Sequence, residues 1–207
     1  MRFSGWRSWF GGGPRWDEGV IWALDLETTG LRPDTDHIIS IGMVPIRAGV
    51  IRYGERWHQL VRPAGVAAMP TEGIRAHHIL PAELDQAPPI GEVLPQLEAR
   101  LREGALLVHC ADLDLRFLRR EFKRHDLSWP RPVVIDTVDL MLRWHHRQQQ
   151  WTPHPPPPRT ALREARADVR LPDYPSHDAL SDALATAELY LVLRDRLGLG
   201  TLRSIRR

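Results

Sequence analysis

Residues 20–26 read VIWALDL. A run this apolar suits a central strand buried on both faces, and it ends at the turn signal Thr28-Thr29-Gly30. Two carboxylates, Asp25 and Glu27, stand two apart at its end. Positions i and i+2 of a strand point to one face, with Cα atoms under about 7 Å apart. Like charges so placed repel and lose hydration unless something neutralises them. A lone D-x-E is also met as two exposed acids closing a strand, so the rest of the chain has to decide between the two.

Downstream, 37–47 (HIISIGMVPIR) and 50–63 (VIRYGERWHQLVRP) flank Ala48-Gly49. This predicts a hairpin, with Pro45 at a bulge or an edge. The stretch 71–80 reads as a short helix or ordered loop. Residues 90–103 space Val93, Leu94, Leu97 and Leu101 helically despite Pro95. Strands are expected at 105–109 and 133–136. Helices follow each, and others lie near 160–167 and over 178–197. Early strands followed by strand–helix alternation make this an α/β chain with one sheet and a hairpin-made antiparallel member.

The length, 207 residues, suits one domain over 19–197. Residues 1–18 read as a mobile tail carrying Trp6, Trp9 and Phe10, broken by Gly11, Gly12, Gly13 and Pro14, and 198–207 as a short basic tail. The four prolines at 155–158 place a loop over 148–160. A net charge of +2 provides no field that selects a nucleic-acid or membrane partner, although Lys123 is the only lysine among 28 basic residues. The single cysteine, Cys110, excludes an intrachain disulfide or a cysteine-rich zinc site and fits a cytoplasmic setting. No apolar run approaches the roughly 18 residues that span a bilayer.

Three segments share one feature, an acid where an apolar element begins or ends. They carry Asp25 with Glu27, then Asp114 after the strand 105–109, then Asp182 on the last helix with His177 five residues earlier. Taken singly, Asp114 is a helix N-terminal acid, Asp182 one polar position of an amphipathic helix, and His177 a surface residue. His145 and His146 diverge by about 100° on a helix, so with His154 they do not form a second metal site.

Together the motifs resemble the DEDDh 3′–5′ exonucleases, the DnaQ-like family of the proofreading epsilon subunit of DNA polymerase III. D-x-E-T-T-G is matched by Asp25, Glu27, Thr28, Thr29 and Gly30. H-N-A-x-F-D is matched by His109, Ala111 and Asp114, with Cys110 for asparagine and Leu113 for phenylalanine. H-x4-D is matched by His177 and Asp182. The resemblance implies a ribonuclease H-like fold, a five-stranded mixed sheet flanked by helices. It also implies two Mg²⁺ or Mn²⁺ ions on Asp25, Glu27, Asp114 and Asp182, with His177 as general base. Thr28, Thr29, Ile74, His109 and Cys110 are the implied substrate contacts. Asp112 is a rival to Asp114, but residues two apart on a helix point about 200° apart and only one can face the ions. Asp136 and Thr137 match a recurrent D-T and read as structural.

The resemblance implies removal of 5′-mononucleotides from single-stranded or frayed 3′ ends in DNA replication or repair, with DNA favoured, by a stand-alone or accessory nuclease or by a proofreading subunit that engages a DNA polymerase in trans. The alternatives are an RNA-trimming member, from which the T-T-G leans away, and a non-catalytic binding module.

Overall fold

The structure, a computed structural model, describes residues 14–63, 79–150, 157–175 and 177–207. Its strands are β1 (Val20–Thr28), β2 (Ile38–Arg47), β3 (Val50–Ile51), β4 (Trp57–Leu60), β5 (Ala105–Val108) and β6 (Val134–Asp136). Its helices are α1 (Pro81–Asp85), α2 (Ile90–Glu103), α3 (Ala111–Arg124), α4 (Thr137–Gln149), α5 (Leu162–Asp168), α6 (Ala179–Leu197) and α7 (Leu202–Ile205). Among the described residues no helix is long and apolar enough to cross a membrane.

The strands form one mixed sheet with β1 at its centre. β2 lies antiparallel on one side of β1, β5 and then β6 lie parallel on the other, and β3 and β4 both pair with β2. Six strands thus occupy five positions. Pro45 explains the split. It sits inside β2, opposite Trp22 of β1, where the hairpin was expected to bulge or run at an edge. Its carbonyl accepts from Arg52 N (2.8 Å), but it has no N–H to return. The partner strand leaves at that point into a 3₁₀ turn, Tyr53–Glu55, and rejoins as β4.

The bulge falls elsewhere. The β1–β2 register slips between Glu27 and Thr28, so that Ile39 is the extra residue. Bulges bend a strand and re-aim its side chains, and this one stands beside the acid pair.

Alternation along β1 divides the core in two. Trp22 and Leu24 join Ile41 and Met43 under α2 and α3, through Leu94, Leu97, Phe117 and Phe122. Ile21 and Ala23 join Ile46, Ala105 and Leu107 under α4, α5 and α6, through Met141, Ala165, Leu189 and Tyr190. By the same parity Asp25 and Glu27 face the α6 side.

The expected tails are shorter than their sequence suggests. Trp16 is buried edge-on to Tyr190 (6.0 Å between centroids) beneath Arg194, and its N–H donates to Gly200 O. Leu202 and Ile205 of α7 are buried in the same cluster. Residues 1–13, with Trp6, Trp9 and Phe10, lie outside the described residues, as do the stretch 64–78 and 151–156 of the expected proline-rich loop.

Candidate active site

The site is assembled at the C-terminal end of β1, where the end of one strand and the start of one helix converge. Asp25 and Glu27 come from β1, and Asp182 comes from the first turn of α6. Each offers an oxygen, and the three lie within 4.8 Å of one another. What admits α6 so close is Gly42, which pairs with Asp25 across the β1–β2 ladder. A Cβ there would collide with the backbone of Ala179 and Leu180. The first turns of the helix then present small residues to the sheet, with Ala179, Ala183 and Ala187 fully buried and Leu180 and Leu184 only half-buried, while Leu189 and Leu193 enter the core further along.

Asp114 is buried in the first turn of α3, on the other layer. It stands outside the close triad, yet of the neighbouring charges it acts most strongly on Asp25. Desolvation, followed by repulsion from Asp114, Asp182 and Glu27, holds Asp25 well above the ordinary carboxylate range. Asp114 is raised likewise, by burial and then by Asp136 and Glu27. Glu27 is pushed up to about 7 by burial, Asp182 and Asp178. Asp182 is raised by burial despite accepting the His177 N–H at 2.9 Å. None of the four forms an ion pair with a described lysine or arginine. Acids this close and this poorly compensated carry protons or hold cations, and hard divalent ions prefer carboxylate oxygens. The donor set therefore fits such ions.

Asp178, which sequence reasoning missed, is the N-cap of α6, its carboxylate accepting from Ser181 N (2.9 Å). Its charge reaches Asp25, Glu27 and Asp182. The signal was present as an aspartate directly before an apolar helix.

His177 is exposed beside the triad. Its φ of +70° turns its N–H back onto Asp182. The segment leading to it is fastened by Arg166, which is 3% exposed. This guanidinium donates to Ala185 O (2.7 Å), Pro172 O (2.9 Å) and Glu188 (2.8 Å), and it covers the ring of Tyr174. Tyr174 in turn donates to Glu188 (2.9 Å).

The other sequence candidates are placed as follows. Thr28 Oγ1 donates to Gly30 O (2.7 Å). Thr29 closes the loop to His37, with N–H to His37 O (2.9 Å) and Oγ1 accepting from His37 N (2.9 Å). The Asp36 carboxylate folds against Gly30, in the space a Cβ there would enter. His109 spends both ring nitrogens inside the chain. Thr160 O can only accept, so Nε2 donates to it (2.7 Å) and Nδ1 faces Thr137 Oγ1 (2.7 Å). Cys110 caps α3 with φ +68°, and Asp136 accepts the N–H groups of Cys110 (3.1 Å) and Ala111 (2.9 Å). Partial burial and then Asp136, Asp114 and Asp112 push the Cys110 thiol up, which keeps it protonated. Asp112 points away to Arg207 (2.9 Å), as the helical angle required. Asp136, besides holding α3, caps α4 through Val138 N (2.9 Å), the structural role expected of it. Ile74 lies outside the described residues.

A mixed sheet in this order, with carboxylates at the end of its central strand, defines a ribonuclease H-like fold. The chain belongs to the exonuclease family of the ribonuclease T type, whose model matches residues 22–190. It is 34% identical over 179 residues to the DNA polymerase III subunit epsilon-like protein of Rhodobacter capsulatus, covering 86% of this chain and 24% of that protein. It is 32% identical over 169 residues to the PolC-type DNA polymerase III of Thermotoga maritima, covering 81% of this chain and 11% of the polymerase. The chain therefore spans a quarter or less of these relatives. In three dimensions it resembles the zinc-bound complex of Escherichia coli exonuclease I with single-stranded DNA, with a TM-score of 0.74 at 17% identity over 88% of this chain and 42% of that one.

Proposed function

We propose that the protein is a divalent-metal-dependent 3′–5′ exonuclease that releases 5′-mononucleotides from single-stranded or frayed ends, with DNA favoured over RNA. The observation that carries this reading is the convergence of Asp25, Glu27 and Asp182 within 4.8 Å, with Asp114 buried behind them and, among the described residues, no lysine or arginine paired to any of the four. Asp25, Glu27, Asp114 and Asp182 would hold two Mg²⁺ or Mn²⁺ ions. Bound there, such ions would supply an activated water and charge stabilisation for the leaving 3′ oxygen.

The chain's own residues do the rest. His177, exposed beside the triad and joined to Asp182 through its backbone, takes a proton from the attacking water. The Thr28-Thr29-Gly30 turn, rigidified from both sides by His37 and Asp36, presents backbone to the terminal nucleotide. The names of the relatives support a role in replication or repair. The single-stranded DNA in the exonuclease I complex supports the choice of substrate.

End-labelled single-stranded DNA and RNA, incubated with Mg²⁺, Mn²⁺ or EDTA, test the proposal on the wild type, Asp25→Ala and His177→Ala. Mononucleotides are expected only with metal and only with Asp25 in place. His177→Ala is expected to cut turnover by about 10²- to 10⁴-fold while thermal stabilisation by Mn²⁺ persists. Activity that survives both EDTA and Asp25→Ala would sink the assignment.

A further inference from the structure

The stretch 160–175, which runs into His177, is tied down along its length. His109 Nε2 donates to Thr160 O (2.7 Å), Arg196 donates to Val169 O (3.0 Å), and Arg163 pairs with Asp173. The main fastening is the buried Arg166 of α5. Its Nη1 donates to Ala185 O (2.7 Å), and its Nη2 donates to Pro172 O (2.9 Å) and to the Glu188 carboxylate (2.8 Å). One guanidinium therefore joins α5, the residues that follow it and α6. Ala185 lies three residues beyond Asp182, on the same side of the helix, so the joint is made one turn away from the acid triad.

A buried ion pair is a weak source of stability, since desolvation offsets the attraction of the charges. What Arg166 does supply is geometry, and everything it fixes after α5 lies just before His177. Its guanidinium covers the Tyr174 ring (4.6 Å), whose hydroxyl donates to Glu188 (2.9 Å). Pro175 follows, its φ fixed by its own ring. His177 comes two residues later at φ +70°, a backbone conformation that is uncommon for a residue with a side chain and persists where the surroundings hold it. The Asp182 carboxylate holds that turn from one side by accepting the His177 N–H (2.9 Å), and Arg166 holds its approach from the other.

Resting on the exonuclease reading above, we propose that Arg166 is a positioning residue for the reaction: through Pro172, Tyr174 and Glu188 it sets where the His177 imidazole stands relative to the triad. Among the described residues it makes no hydrogen bond or ion pair with Asp25, Glu27, Asp114 or Asp182, so it acts through His177. An exposed histidine on an unfastened segment would sample many positions, and a misplacement of about 1 Å at a reacting group costs about 100-fold in rate. A lysine at this position would keep the charge. It lacks the planar fork that reaches acceptors on two sides and lies over the Tyr174 ring.

Hydrolysis of an end-labelled single-stranded oligodeoxynucleotide with Mn²⁺, followed under single-turnover conditions, tests this on wild type, Arg166→Lys, Tyr174→Phe, His177→Ala and the doubles that combine either substitution with His177→Ala. Arg166→Lys is expected to slow the chemical step about 10- to 100-fold, with substrate affinity and thermal stabilisation by Mn²⁺ unchanged. Tyr174→Phe, which removes one hydroxyl and keeps the ring, should slow it about 2- to 10-fold. In the His177→Ala background neither should lower the rate further, because residues that act as a unit are not additive. Equal losses in both backgrounds overturn the proposal, since a general loosening of the fold or of the acid cluster would not depend on His177. Amide hydrogen exchange provides a readout without catalysis. Exchange over 171–178 should quicken about tenfold in both variants while 183–193 stays protected, and unchanged exchange over 171–178 also overturns the proposal. Should Arg166→Lys not fold, Tyr174→Phe carries both measurements. If wild type hydrolyses nothing with metal, the exonuclease reading fails and the role in the reaction with it, whereas exchange still decides whether Arg166 holds the segment before His177.

Discussion

Gly42 lies directly opposite Asp25 in the β1–β2 ladder, and the space its missing side chain leaves is filled by the backbone of Ala179. One glycine thus fixes how near the helix bearing Asp182 comes to the strand bearing Asp25 and Glu27. Gly42→Ala is expected to push the start of α6 outward, since backbone, not a flexible side-chain tip, occupies the site. The cost should be about 1–3 kcal/mol of stability, as for other overpacked cores. A displacement of about 1 Å in Asp182 should lower turnover about 100-fold. Denaturant melts and single-turnover hydrolysis check both, and full activity in the variant would show that the approach of α6 is not what sets the site.

The four raised carboxyl groups predict an unusual pH dependence for the metal-free protein. Glu27 has an ordinary value of 4.5 and is pushed up to about 7 in the fold, so between those values folding takes up protons. Stability from this group is therefore present at low pH and lost as pH rises through about 4.5 to 7, opposite to the usual carboxylate. Asp25, Asp114 and Asp182 shift in the same direction. In EDTA the protein should be less stable at pH 8 than at pH 5 by about 2–3 kcal/mol. Mn²⁺ should restore that loss at pH 8 and act weakly below pH 6, and Asp25→Asn should flatten the profile. Calorimetry in both buffers tests this, and a metal-free midpoint that rises from pH 5 to 8 would count against it.

Arg120 connects α3 to the loop that carries the Thr-Thr-Gly turn. Its guanidinium donates to Asp36 O (2.5 Å) and to the buried Glu121 carboxylate (2.6 Å). Asp36 in turn accepts the Arg32 N–H (2.7 Å) and underlies Gly30. Arg120→Met should cost about 3–5 kcal/mol by leaving Glu121 without its nearest cation. It should also raise KM about tenfold through a loosened turn. The double variant Arg120→Met, Glu121→Leu should recover most of the stability but not KM. Recovery of both would mean that the arginine serves folding alone.

Much of this architecture is legible in the residues themselves. Local signals are strong where a segment is long and periodic. The α2 helix runs Ile90–Glu103 as its leucine spacing required, and VIWALDL is the central strand its apolarity demanded. The motif acids were legible for a different reason, since carboxylates at the ends of buried elements are costly and stand out against an apolar background. Less legible were residues whose role depends on what meets them across the fold. Trp16 and Leu202 read as tail because neither carries periodicity, and they are buried because the segments bearing them pair with each other, Arg15 with Thr201, and pack together against α6. His109 read as a substrate contact, yet Thr137 and Thr160 consume its ring.

By itself, then, the sequence determined the order of the elements, the mixed sheet and the identity of the acids, because those follow from local periodicity and from charge set against hydrophobicity. Only the tertiary structure decided that Asp25, Glu27 and Asp182 come within 4.8 Å while Asp114 stands behind them, and that Asp178 adds its charge. Those are distances between segments far apart in the chain. They are set by how closely backbones can approach, and at Gly42 that depends on the absence of a single carbon atom.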